Sequence, residues 1–216
     1  MITPDYAEII RYLGYKKGIQ PDEQVMERIE HCVAELEKVI LPKSVKRYFP
    51  IIRDADGTMY IDTMKIQSRH LSHNLKGCEE VCLFAATLGI GPDRLIQRAQ
   101  LRRIADAVIY QAAGAAMIES YCDQVNAEVA KETGAKGLYT RPRFSPGYGD
   151  LPLELQKDFL EILKTPKTIG LTLTDSLLMM PSKSVSAMIG LADTDENCHR
   201  KGCYICTKKD CEFRQL

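Results

Sequence analysis

Two segments of the 216-residue chain carry residue types whose spacing could do chemistry. The first is Arg141-Pro142-Arg143-Phe144-Ser145-Pro146-Gly147-Tyr148-Gly149-Asp150. Prolines fix φ there, and glycines admit positive φ and let a backbone approach a ligand closely. An arginine on such a loop offers a planar fork to a carboxylate or phosphate. Tyr148 can stack or hydrogen-bond beside it. The same residues also build rigid surface turns with exposed arginines, and composition alone favours that plainer reading. The second segment is the C-terminal tail, where Cys198, Cys203, Cys206 and Cys211 crowd into the last nineteen residues with spacing C-x4-C-x2-C-x4-C. Four thiolates so close can surround one tetrahedral zinc or hold an iron–sulfur cluster. The neighbouring His199, Arg200, Lys201, Lys208 and Lys209 would lower thiolate pKa. A flexible reduced tail is the alternative.

Weaker candidates read as structure. His70 and His73 stand at i, i+3 without a third ligand nearby, so solvation explains them better than a metal. Gly89-Ile90-Gly91-Pro92-Asp93 lacks both the Lys-Ser/Thr of a phosphate loop and the GxGxxG spacing, and reads as a turn. Met179-Met180 beside Pro181 reads as core filling.

The elements that must position these residues follow from periodicity. Val25, Ile29, Cys32, Val33, Leu36 and Val39 recur at helical spacing after Pro21, Asp22 and Glu23, predicting a helix over 21–40. Asp54-Ala55-Asp56-Gly57 between two β-type runs predicts a hairpin. Val81 to Thr87 predicts a buried strand. From about Pro92 to Thr133 the pattern is helical, with Leu95, Ile96, Leu101, Ile104, Ala105 and Val108 on one apolar side. That length predicts a break near Arg103 to Asp106. Ala112-Ala113-Gly114-Ala115-Ala116 leaves room for another backbone to approach. A Gly/Pro-rich loop, an amphipathic helix near Leu153 to Leu163 and strands at Ile169 to Thr174 and Ser184 to Leu191 complete the pattern. Strands and helices do not alternate regularly, so the expected class is α+β, an antiparallel or mixed twisted sheet packed with helices. Residues 1–194 form the expected domain and 195–216 a Cys-rich tail.

Composition narrows the function classes. Lys plus Arg and Asp plus Glu are each 29, so 29 − 29 leaves no net charge. That argues against nucleic-acid binding by phosphate neutralisation. Hydrophobic residues make up 45%, enough for a core, yet no run approaches a membrane span of roughly 20 residues. The N-terminal stretch lacks a signal-peptide pattern, so a soluble cytoplasmic protein is expected. Reduced thiols suit that compartment, and Cys32, Cys78, Cys82 and Cys122 read as small buried apolar residues.

Two distant motifs and a helix then carry a resemblance. The chain has Arg143, Ser145, Pro146, Gly147, Tyr148, Pro152 and Lys157, followed by Leu173-Thr174-Asp175-Ser176, Met179, Pro181 and Ser184-Val185-Ser186. Between Ala112 and Glu119 it has a small-residue helix ending in glutamate. Over roughly residues 80–192 this resembles the reactivation domain of cobalamin-dependent methionine synthase. The resemblance implies a domain that binds S-adenosylmethionine (AdoMet) and supports reductive remethylation of cob(II)alamin to methylcobalamin. It assigns Arg143 to the AdoMet carboxylate, the backbone around Ser145 and Gly147 to lining the ligand, Tyr148 to packing or hydrogen bonding beside it, and Glu119 to its positive charges. Placement of the sulfonium methyl in line with cobalt then matters more than an acid or base. The cobalamin signature Asp-x-His-x-x-Gly is absent from the sequence, so the corrinoid is expected on a partner. That partner would be a cobalamin-binding methionine synthase or another corrinoid methyltransferase, with a donor such as flavodoxin or ferredoxin supplying the electron. The cysteine tail lies outside the family's familiar module. It leaves open an iron–sulfur electron donor for corrinoid proteins, or a zinc-bearing docking module.

Overall fold

The computed structural model describes residues 2–16 and 18–196. In chain order the elements are α1 (Tyr6–Tyr12), α2 (Glu23–Glu37), β1 (Lys43–Pro50), β2 (Ile52–Arg53), β3 (Met59–Ile61), β4 (Met64–Ile66), α3 (Arg69–Asn74), β5 (Cys78–Thr87), α4 (Gly91–Arg102), α5 (Ile104–Gly134) and β6 (Tyr139–Thr140). A 3-10 turn (Leu153–Leu155), α6 (Gln156–Ile162), α7 (Thr165–Thr168), β7 (Thr172–Leu173), β8 (Met179–Met180) and β9 (Ser184–Ala192) follow. The class is α+β, as expected, with antiparallel pairings and helices. No described helix is long and apolar enough to cross a membrane. The chain divides into two compact units.

The first unit takes its described residues from Met1–Val45, Ala85–Val125 and Lys164–Val185. Its helix α2 forms where the period predicts. Asp22 accepts a hydrogen bond from the Val25 amide (2.9 Å), and Ile29, Cys32, Val33 and Leu36 are buried along one face. Arg28 on α2 pairs with the Asp106 carboxylate, and Tyr110 donates to Glu35. The Arg28 guanidinium holds the Asp106 carboxyl below its usual range. The β7–β8 hairpin pairs Thr172 with Met180 and Leu173 with Met179. Asp93 in the first turn of α4 accepts from the Ser182 amide (2.8 Å) and hydroxyl.

Three expectations are corrected in this unit. The break between α4 and α5 falls at Arg103, inside the expected window and in extended geometry (φ −149°, ψ 100°). It rotates one helical face against the next, so spacing carried across it fails. Leu101 is 89% exposed, Ile104 71% and Val108 53%, whereas Ile96, Ala107 and Ile109 are buried. Leu101→Ala should therefore change stability by less than about 0.5 kcal/mol in a urea titration. A loss above about 2 kcal/mol, the range of core leucines, would contradict this exposure. Second, what meets Gly114 is no backbone. A Cβ there would lie 3.0 Å from Lys183 Cε, and the Lys183 ammonium donates to the Gln111 side-chain oxygen (2.6 Å). Burial holds the Lys183 pKa below its usual range. Third, the methionine pair does not fill the core. Met180 is 49% exposed and Leu178 65%, because the segment is a two-stranded ribbon turning through Thr174 to Leu178.

The second unit takes its described residues from Lys46–Phe84, Asn126–Leu163 and from Ser186 onward. The four-stranded sheet has order β1-β5-β9-β6, with Tyr139 opposite Ala192 and Thr140 opposite Leu191 in antiparallel register. Within this unit strand β5 is buried from Val81 through Phe84, which suits a central strand with neighbours on both edges. The expected hairpin is present as the antiparallel meander β2-β3-β4, with Ile52 opposite Tyr60 and Met59 opposite Ile66. Its turn closes by the Asp54 amide donating to Thr58 O and the Gly57 amide to Asp54 O. Cys78 and Cys82 are buried in this unit, and Cys32 and Cys122 in the other. Burial pushes the Cys82 thiol up to about 12 and the Cys32 thiol to about 11.

Candidate functional site

Phe144 is the anchor of the Pro/Gly loop. It is an apolar side chain between polar neighbours, it is buried, and its backbone makes two 2.9 Å hydrogen bonds with Met188 of β9. The Arg141 amide donates to Gly190 O (2.8 Å) farther along the same strand. The loop thus starts as an irregular edge of the sheet, beside β9. Arg141 is only 4% exposed, and its guanidinium donates to Lys76 O (3.1 Å). This corrects the plainer reading of a turn with exposed arginines, because the sheet edge takes in the first arginine. Arg143 is half-buried two residues later.

Beyond Phe144 the chain tightens. Tyr148 N donates to Ser145 O (3.1 Å), Leu151 N to Tyr148 O (3.1 Å) and Gly147 N to Leu151 O (2.9 Å). Gly147 sits at φ +84°, a conformation an L side chain rarely adopts. Tyr148 is 45% exposed, and its ring meets the Phe144 ring edge-on at 5.2 Å. Arg143, Ser145, Gly147 and Tyr148 therefore lie on one short, internally bonded loop of the second unit. Its chemistry is a guanidinium, a backbone turn and an accessible phenol ring. A guanidinium of this kind can pair with a carboxylate or a phosphate.

Glu119, the fifth candidate, lies half-buried on α5 in the first unit. The Tyr12 phenol is held above its usual range, first by burial and then by the Glu119 charge. Cys198, Cys203, Cys206 and Cys211 lie outside the described residues. Among the described residues no group of three His, Cys, Asp or Glu side chains could hold a metal ion. His70 instead stands against the loop, its Nδ1 3.8 Å from the Asp150 carboxylate.

Asp150 closes the loop segment, and its spacing alone gives it no role. Its Oδ1 accepts from the Ser68 hydroxyl and the His70 amide (3.2 Å), and its Oδ2 accepts from the Arg69 amide (2.8 Å). The one advance signal was Ser68, which suits a helix N-cap and does cap α3 through the Leu71 amide (3.0 Å).

Comparison with known proteins covers the segment that contains this loop. A family model described as "Vitamin B12 dependent methionine synthase, activation domain" matches residues 70–198, more than half of the chain and all of the loop. Among solved structures, the chain is similar to the crystal structure of the MetH reactivation domain bound to AdoHcy. The TM-score is 0.65, with 18% sequence identity, over 92% of this chain and 75% of that one, a likeness of fold. Among curated proteins, none matches. On the family match, the chain belongs to the activation-domain family of vitamin B12 dependent methionine synthase.

Proposed function

We propose that this chain binds AdoMet on the Arg143–Tyr148 loop and supports reductive remethylation of cob(II)alamin held by a partner. That partner would be a cobalamin-dependent methionine synthase or a related corrinoid methyltransferase. The observation that carries the reading is a family-matched loop with its arginine half-buried, its anchor residue locked to β9 and its tyrosine accessible. Arg143 supplies two parallel N–H donors to the AdoMet carboxylate. The backbone around Ser145 and Gly147 lines the ligand, and the Tyr148 ring packs against it. The motif also names Glu119 of α5, a carboxylate of a type that suits positive charge. A one-electron donor of the flavodoxin or ferredoxin class would first reduce the partner's cob(II)alamin, and AdoMet would then supply the methyl group as its S–CH3 bond breaks and AdoHcy leaves. The chain's own task is orientation, so it needs no acid–base pair.

The MetH reactivation domain was crystallised with AdoHcy, which supports a site for the same amino-acid end here. Calorimetry with AdoMet tests the reading, followed by remethylation of a cob(II)alamin-loaded partner with added reductant. Absence of AdoMet binding by a folded chain overturns it. The domain is proposed as residues 1–194, with 195–216 as an appended tail. The C-x4-C-x2-C-x4-C spacing supports a zinc or iron–sulfur site at Cys198, Cys203, Cys206 and Cys211. Anaerobically purified protein should then contain metal that Cys206→Ser loses. Metal-free wild type would remove that site from consideration.

A further inference from the structure

The loop that carries Arg143 and Tyr148 is tied at both ends, and the two ties differ in kind. At its start Phe144 is fixed by burial and by two backbone bonds to Met188. At its end the tie is one carboxylate. Asp150 collects the Ser68 hydroxyl and the Arg69 and His70 amides, three donors in consecutive residues that are about eighty positions earlier in the sequence. Ser68 donates to Asp150 while accepting from the Leu71 amide, so one hydroxyl joins the loop to the first turn of α3. Gly149 completes the fit. It sits at φ +60°, and a Cβ there would lie 2.3 Å from His70 Nδ1. A side chain at 149 would push the loop off α3 or displace the His70 ring. The Ser68 hydroxyl, aided by the two amides, keeps the Asp150 carboxyl below its usual range, so the accepting charge is present at neutral pH.

We infer that Asp150 is a positioning residue for the AdoMet loop: by clamping the end of the turn to Ser68, Arg69 and His70, it fixes where Arg143 and Tyr148 stand. The inference rests on the proposed function for its ligand, but the clamp itself does not. The physical argument is one of preorganisation. The turn from Ser145 to Leu151 has only three backbone bonds of its own, and Gly147, Tyr148 and Gly149 are exposed. Without the carboxylate, the ordering of this stretch would be charged to ligand binding. Charge-assisted bonds to amides and a hydroxyl are about twice as strong as neutral ones. Their loss should weaken AdoMet binding rather than unfold the chain.

The experiment compares wild type, Asp150→Asn, Ser68→Ala, the double variant and Asp22→Ala. The last removes a helix cap in the other unit and controls for loss of stability. AdoMet affinity is read by calorimetry, melting temperature by circular dichroism, and exchange at the Gly147, Tyr148 and Leu151 amides by hydrogen exchange. Asp150→Asn should weaken AdoMet binding about tenfold and speed exchange at those three amides. The double variant should be no worse for AdoMet than Asp150→Asn alone, since both substitutions break the same clamp. Asp22→Ala should lower the melting temperature and leave AdoMet affinity unchanged. Unchanged loop exchange in Asp150→Asn overturns the inference, whatever AdoMet does. Equal weakening by Asp22→Ala also overturns it, by showing that affinity merely follows stability. A wild type that fails to bind AdoMet sinks the proposed function, while loop exchange still decides whether Asp150 is the clamp.

Discussion

Arg143→Ala should lose between about tenfold and about a hundredfold in AdoMet affinity while the chain keeps its fold. The size follows from what is removed. Hydrogen bonds to a charged group are worth about 1.5–3 kcal/mol, and each 1.4 kcal/mol is about tenfold in binding. Fold retention follows from where the residue sits. Arg143 is half-buried, and the backbone anchors of the loop belong to Arg141, Phe144 and Gly147. Arg143→Lys should recover only part of the loss, because an ammonium is a point charge without the planar fork. Calorimetry on the three proteins, with circular dichroism to confirm equal folding, measures this. If the alanine variant binds AdoMet as tightly as wild type, the carboxylate is held elsewhere and the loop has been given the wrong ligand group.

Gly91→Ala should destabilise the chain by about 3 kcal/mol, the upper part of the usual overpacking range. Helix propensity alone expects the opposite sign, since alanine is favoured over glycine in a helix by about 0.5–1 kcal/mol. Gly91 opens α4, and a Cβ on it would lie 2.1 Å from Val39 O and 2.8 Å from the Val39 carbonyl carbon. A flexible side chain could swing away, whereas a main-chain carbonyl cannot. The Val39 amide is itself bonded to Leu36 O at the end of α2 (3.0 Å), so relief requires moving that segment against α4. In a urea titration the midpoint should fall with an unchanged slope, the mark of a stability change without a change of denatured state. A midpoint equal to or above that of wild type would mean that the α2 end yields easily, and the close approach would carry no cost.

Both predictions divide along the same line as the whole molecule. Helix α2, the β2–β3 hairpin, strand β5 and the break at Arg103 were readable in advance. Each rests on residues that are neighbours in sequence: a 3.6-residue period behind Asp22, an Asp-Gly turn, an unbroken apolar run, and a helix too long to continue. The Arg143–Tyr148 loop was readable for a related reason, since its Pro-Gly-Tyr chemistry is contiguous and was recognisable as a motif. Assignment of four of the five ligand candidates to one loop needed no coordinates.

Other features depend on residues that sequence spacing does not relate. Leu101 falls off the stripe of Pro92, Ile96 and Ala99 that α4 buries, and the break at Arg103 starts a new helical phase in which Ile104 and Val108 are exposed, which no periodicity count across the break could include. Burial of Arg141 was decided by the approach of β9 and Lys76, and the packing of the Lys183 stem on Gly114 by residues about seventy positions apart. Asp150 looks like an ordinary loop acid until α3 is set beside it. Local pattern dictates local geometry because backbone sterics and amphipathic period act over a few residues. Which distant donors meet a given carboxylate is decided only when the chain closes on itself, and that is where the bonds from Ser68, Arg69 and His70 to Asp150 arise.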